Sequence, residues 1–328
     1  MTATTGSRRN KTWSLFGDVK RRPTPYEAVT GKFHYHFRRE PAPFELDPSW
    51  SINQWYSKHR EGSPVQVEDW EQFRDPARLT YKDYVSLQHE REIYLDALVD
   101  RYEGDEYVGG LSSQWVATLR DAFVPLRFPL HALQMAALYV GQMAPSSYIT
   151  NCAHFQAADE MRRIQRIAYW TRVLADTHGE DIASTQTARA VWEDDPRWQP
   201  LREVVETMLI AYDWGEAFAA VVLAVKPALD VVVNDVVRGL AEANGDPFLA
   251  ALGEEFAIDS RRSQDWSLDL ARYVRDRDAD AYKALTGFYE TWAPKADAAA
   301  SALAGALGGD ATAALAALRA DQAAELGL

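Results

Sequence analysis

The chain has one cysteine, Cys152, in 328 residues. No disulfide can close within it, and a reducing, cytoplasmic setting is the expectation. Its longest apolar run, Ala217–Val225, is far short of the ~20 residues that a membrane-crossing helix needs. The opening residues, MTATTGSRRNK, lack the apolar segment of a secretory signal. Positive charge is in deficit: 35 Lys and Arg face 48 Asp and Glu, for a net charge of −13. That balance argues against nucleic acid or an anionic membrane as partner. There is no Gly-rich phosphate loop, no solenoid-type repeat and no strand-rich region. Histidine is scarce, and no Glu-x-x-His occurs anywhere in the chain.

Helical periodicity dominates what is present. Residues 146–175 read as one long buried helix. At about 100° per residue, Ile149, Ala153, Ala157, Met161, Ile164, Ala168 and Ala175 fall on one stripe. Glu160 lies near the middle of that stripe and Arg163 at its edge. A carboxylate on a core-facing stripe is costly unless a metal, a cation or hydrogen bonds compensate it. The layout recurs in 254–275, where Phe256, Ser263, Trp266, Leu270 and Val274 form the stripe, Asp259 lies inside it and Arg262 at its edge. A third helix is expected over 202–226, with Val205, Leu209, Tyr212, Ala220 and Leu223 on its stripe and Glu216 among them.

Other elements follow in order. A short helix is expected over 66–75. Thr80-x-x-Asp83 reads as a capping box that opens a helix to about Tyr102. Residues 112–143 form a helix kinked at Pro125 and Pro129, with no inward carboxylate. A break is expected at Lys226-Pro227, then helix over 228–243 and a turn at Asn244–Pro247. A short helix covers 278–292, and two small helices follow in the Ala-rich end, split at Gly308-Gly309.

Residues 1–60 do not read as a domain, because Pro23, Pro25, Pro41, Pro43 and Pro48 break any long helix. Yet Trp13, Phe16, Tyr26, Phe33, Tyr35, Trp50, Trp55 and Tyr56 make them aromatic-rich, which disordered tails are not. An arm laid on a partner is favoured over one packed on its own body. His34 and His36 would share a face of a strand, but no carboxylate or cysteine completes a metal set there. The division expected is an arm over 1–60, a helical domain without a metal site over 61–295, and Ala-rich helices over 296–328.

Three helices that each point one carboxylate inward resemble the ferritin-like di-iron scaffold, an all-α bundle. Where that scaffold carries histidines, this chain has Glu160-x-x-Arg163 and Asp259-x-x-Arg262. A guanidinium stays protonated and cannot ligate iron, but it neutralises a carboxylate. Four segments carry a closer likeness: Trp70-Glu-Gln-Phe73-Arg-Asp-Pro76-Ala-Arg-Leu-Thr-Tyr81, His131-Ala-Leu-Gln-Met135, Ile149-Thr-Asn-Cys-Ala153 and Asp213-Trp-Gly-Glu-Ala-Phe218. With Lys11-Thr-Trp13 and Arg21-Arg-Pro-Thr-Pro-Tyr26-Glu in the arm, they resemble the β (small) hydroxylase subunit of soluble di-iron monooxygenases of the toluene, alkene and isoprene type. The likeness runs to about residue 295.

The resemblance implies a ferritin-like subunit that binds no cofactor and scaffolds a catalytic α subunit in a dimer of αβ protomers, usually with a small γ subunit. The di-iron centre would lie in α. NADH, FAD and iron–sulfur clusters would belong to a reductase and a Rieske-type ferredoxin, and a small coupling protein would regulate the complex. The complex would insert oxygen from O2 into a small hydrocarbon. Glu160, Arg163, Asp259 and Arg262 would stand where α has its Glu-x-x-His pairs, with Glu216 matching the single Glu between them, and no residue of this chain would be catalytic. Two other readings are a self-sufficient metalloenzyme with a site from Glu160, Glu216 and Asp259, and a helical adaptor outside any oxygenase.

Overall fold

The structure is a computed structural model that describes residues 22–31 and 47–327. Among the described residues every regular element is helical. The N-terminal part supplies α1 (Pro25–Thr30) and α2 (Ser51–Tyr56), the latter running into a π turn at Ser57–Glu61. The segment 66–75 holds only one 3-10 turn, Trp70–Gln72, in place of the expected helix. Its Trp70 and Phe73 are buried against Tyr273 as a strap, so the apolar pattern there marks packing and not helical period.

Helix α3 (Tyr81–Tyr102) starts at the expected box: Thr80 Oγ1 accepts from Asp83 N, and the Asp83 carboxylate accepts from Thr80 N. Helix α4 (Arg127–Met143) follows a π turn and a 3-10 turn at the first proline, and Leu119, Ala122, Leu126, Leu130, Leu133 and Ala137 are all buried. Helix α5 (Ser147–His178) crosses the middle of the core. It is capped by Ser146, and Gly179 ends it at φ 126, a backbone angle that side chains rarely adopt. Helix α6 (Gln199–Met208) precedes α7, which spans residues 214–243.

The break expected at Lys226-Pro227 is not there. Helix runs through it, and the interruption falls earlier, between α6 and α7. The Asp213 side chain caps α7 by accepting from Glu216 N at 3.0 Å. Leu209 and Tyr212 therefore leave the stripe, and Tyr212 is exposed. Pro227 has no N–H for the carbonyl four residues back, that of Leu223. The helix absorbs the defect with π turns over Ala219–Val225 and Val231–Val236. The Leu223 carbonyl accepts from Gln322 Nε2 at 2.9 Å and Arg319 Nη1 at 3.2 Å, and the Ala224 carbonyl from Arg319 Nη2 at 3.0 Å.

Helix α8 (Pro247–Arg275) opens on an Asp246 cap with Pro247 in its first turn. Helix α9 (Ala279–Leu307) passes straight through Pro294, where the sequence pattern suggested a short helix and a separate Ala-rich one. Residue 296 thus lies inside a continuous helix. Gly308, at φ 85, ends α9, and α10 (Thr312–Leu326) folds back to supply the Arg319 and Gln322 just described. No helix of the described residues is long and apolar enough to cross a membrane.

Candidate functional site: a buried ionic core

The core of the bundle holds charge. Helix α5 contributes Glu160 and Arg163, and α7 contributes Lys226, Asp230 and Asn234. Each of these is buried, and Glu160 is 0% exposed. Arg163 Nη1 lies 2.6 Å from Asp230 and 3.2 Å from Glu160. Its Nη2 donates to Asn234 Oδ1 at 2.7 Å and to Ser260 Oγ of α8 at 3.0 Å. Lys226 Nζ sits 2.8 Å from Glu160 and 2.8 Å from Asp230. Two cations meet two carboxylates, so the cluster is internally neutral. Burial opposes the charge on Asp230, but Arg163 and Lys226 outweigh it and hold the carboxyl below its ordinary range. Burial likewise opposes the Lys226 ammonium, and Asp230 and Glu160 keep it protonated.

A second network starts one residue earlier on α5, at Asp159 and Arg162, takes Asp259 and Arg262 from α8, and faces α3. Arg262 Nη2 is 2.6 Å from Asp159 and 2.9 Å from Asp259. Arg162 Nη1 is 2.8 Å from Asp259, and Arg91 of α3 binds the same carboxylate. Gln88 Nε2 donates to both Asp159 and Asp259 at 2.9 Å, and Tyr84 Oη donates to Asp159 at 2.8 Å. Burial and then the charge of Asp259 push Asp159 up to about 7. Asp259 is pulled the other way: burial raises it, but Arg262, Arg91 and Arg162 prevail.

The expected Glu160–Arg163 and Asp259–Arg262 pairs therefore form, and Arg163 is fully buried where the stripe put it at an edge. They do not share one centre, since one opens on α7 and the other on α3. Glu216 joins neither network; it is half-buried and accepts from Trp292 Nε1 at 3.2 Å. Sequence reasoning missed Lys226, Asp230, Asp159, Arg162 and Arg91. The signal for the first two was present, as an i,i+4 pair of opposite charges inside the apolar stretch 217–233. The signal for the next two was Asp159-x-x-Arg162, the same pattern displaced by one residue.

The donors present do not fit a di-iron centre. Between Glu160 and Asp230 stand an ammonium and a guanidinium, both cationic and neither a ligand. Among the described residues no group of three His, Cys, Asp or Glu is placed to hold a metal ion.

Of the aromatic arm, Trp13, Phe16, Phe33 and Tyr35, with His34 and His36, lie outside the described residues. Tyr26 is buried within the chain: its hydroxyl donates to Asp75 and its ring meets Tyr148 at 5.6 Å. Trp50 is 50% exposed. Trp55 is half-buried, donates to Tyr139 Oη at 3.1 Å and packs on Tyr212 at 5.0 Å. Tyr56 is half-buried under Arg60, 4.5 Å from its ring.

A model of the methane/phenol/alkene hydroxylase family matches residues 55–278. The hydroxylase component subunit beta of the toluene-4-monooxygenase system of Ectopseudomonas mendocina is 35% identical over 300 residues, spanning 92% of this chain and 91% of that relative. The hydroxylase small subunit of propane 2-monooxygenase from Gordonia sp. (strain TY-5) is 24% identical, over 90% of this chain and 81% of its own length. A chain of the solved structure of toluene 4-monooxygenase with toluene bound in the resting active site superposes at TM-score 0.84 and 34% identity, covering 94% of this chain and 100% of that one. Phenol hydroxylase from Pseudomonas sp. OX1, at 19% identity and TM-score 0.82, shares the fold. The likeness spans the strap, the charged core and the capped α7 alike, and the chain belongs to the methane/phenol/alkene hydroxylase family, as a monooxygenase hydroxylase subunit of the beta type.

Proposed function

We propose that this chain is a non-catalytic scaffold for a catalytic α-type hydroxylase subunit, in a complex that oxidises a small hydrocarbon, an alkene or arene, with O2. The observation that carries the reading is the placing of Lys226 and Arg163 between Glu160 and Asp230, which fills the bundle's polar centre with cations. In this reading the di-iron centre belongs to the partner. Electrons would reach it from NADH through a flavin and iron–sulfur reductase and a Rieske-type ferredoxin, with a coupling protein and a small γ subunit as further components. Trp50, Trp55 and Tyr56 would meet the partner, together with Trp13, Phe16, Phe33 and Tyr35. The exposed apolar side chains Ile52, Ile210 and Tyr212 support this, because Tyr212 packs on Trp55 and extends the same surface. Glu160, Arg163, Asp259 and Arg262 would serve stability in place of a metal site.

The test is elemental analysis and oxygenase assay of this chain purified alone and again after co-expression with an α-type subunit. The expected result is no stoichiometric iron and no turnover alone, with iron appearing in the complex and turnover once NADH, the reductase, the ferredoxin and the coupling protein are supplied to it. Iron bound by the chain alone and lost on Glu160→Ala would refute the reading.

A further inference from the structure

Beneath the strap that leads into α3 lies a small cavity lined by Asp75, Gln156, Asp159, Ser263, Arg262 and Trp266, among others. About 20 Å³ of it is open to the centre of a water molecule. One water needs roughly 10–15 Å³ on that measure, so one or two fit and little else does. Gln156 is 1% exposed, and among the described residues neither its amide nitrogen nor its amide oxygen has a partner. Trp266 is 4% exposed and its indole N–H also has no partner among the described residues. A buried primary amide with both ends unsatisfied is a heavy penalty, and here it borders a space that could relieve it. The roof is tightly built. Asp75 accepts from Arg78 N at 2.7 Å, Arg78 takes φ 46, and Asn151 Nδ2 donates to the Leu79 carbonyl at 3.1 Å.

We propose that this cavity is a binding site for one or two ordered water molecules, which accept from Gln156 Nε2 and Trp266 Nε1 and donate to Gln156 Oε1. Ala77, Leu79 and Phe155 add apolar wall, and the groups of the lining without a partner among the described residues are two N–H donors and one amide acceptor. Water satisfies such a mixed set, whereas an anion would leave the amide oxygen facing it. The cavity also borders two hydrogen-bond systems that share no direct bond among the described residues. On one wall is Asp75, which anchors α1 through Tyr26; on the other is Asp159, which belongs to the α3-facing network. Water here would join the anchored N-terminal helix to the charged core. This inference stands independently of the scaffold reading.

The experiment is a high-resolution crystal structure of the full chain, with a parallel crystal pressurised with xenon. The expected result is a water peak within hydrogen-bond distance of the Gln156 amide and Trp266 Nε1, with no xenon there. An empty cavity, or one that takes up xenon, would overturn the proposal. A second readout is the melting temperature of Gln156→Met, which exchanges the amide for an apolar chain of similar length. A hydrated amide predicts an unchanged or lower value, and a clear rise would show that Gln156 had been left unsatisfied and would also overturn it.

Discussion

Arg163→Met is the perturbation that tests the charged core most directly. It removes the guanidinium that lies 2.6 Å from Asp230 and 3.2 Å from Glu160, and leaves Lys226 alone against two carboxylates. The cluster goes from neutral to a net single negative charge in a site that solvent barely reaches. Breaking a buried pair in this way typically costs about 3–5 kcal/mol. A second route gives a similar ceiling. The surplus charge is removed if one carboxylate takes up a proton, and doing so at pH 7 to a group of ordinary pKa near 4.3 costs about 1.36 kcal/mol per pH unit, or about 3.7 kcal/mol. With roughly 2.1 cal/mol/K per residue over 328 residues, the unfolding entropy is about 0.7 kcal/mol/K, and the melting temperature should fall by about 4–7 °C.

The sign with pH follows from the same geometry. In the variant the surplus carboxylate has its folded pKa raised, so the protonated form stabilises the fold at acid pH and that contribution disappears as pH rises. The deficit should therefore shrink from pH 7 towards pH 5, where the protonation penalty is only about 1 kcal/mol. Part of the loss should persist, because Asn234 Oδ1 loses its Arg163 donor and Ser260 Oγ keeps, among the described residues, only the Asn234 Nδ2 donor. The double change Glu160→Leu with Arg163→Met leaves Lys226 paired with Asp230 and should recover most of the loss. Circular dichroism melts of the purified chain across this pH range are the assay. A melting temperature unchanged at pH 7, or a deficit that does not vary with pH, would refute the reasoning.

Asp159→Asn mimics the protonated acid. A folded pKa of about 7, above the unfolded value near 3.9, means that this group supports the fold below about pH 4 and loses that support as pH rises to about 7; the substitution should flatten that decline in pH-dependent melts. Arg319→Met takes donors from the Leu223 and Ala224 carbonyls and the cation from Asp297, and should cost about 1–3 kcal/mol in urea unfolding. Gly215→Ala would place a methyl group 2.4 Å from Val65 Cγ2 and 3.1 Å from Ser63 Oγ, so a loss of about 1–3 kcal/mol from overpacking is expected; equal stability would mean that the 63–65 segment yields freely.

The helical class and the bundle were legible because the long helices obey the 3.6 period over many turns. Helix α8 buries the whole stripe drawn for it, whereas α5 buries Ile149, Ala153, Ala157 and Ala175 but leaves Met161, Ile164 and Ala168 half-buried, its core face running through Arg163, Ile167, Trp170 and Leu174 instead. The capping box at Thr80 was legible for a local reason, since both of its bonds lie within four residues. What failed was punctuation by proline. Pro227 and Pro294 sit inside helices, one because Arg319 and Gln322, about ninety residues on, take up the freed carbonyls, which no local pattern can announce. The charged pairs were found where acid and base share one helix, as Glu160 and Arg163 do. Their third and fourth partners come from α7 and α3, and the register between helices is a property of packing. Glu216 shows the converse error, because moving the helix start to Trp214 rotated it out of the core.

The two buried networks also bear on how far such a subunit could be redesigned as a metalloprotein. Writing histidine at positions 163 and 262 would restore the lettering of two acid-x-x-His pairs, yet the imidazoles would enter separate networks, one towards α7 and one towards α3. The Lys226 ammonium would still lie against both Glu160 and Asp230 and repel any incoming divalent ion. A design that aims at metal must first evacuate Lys226 and then re-aim α8, so no single substitution builds a metal site here.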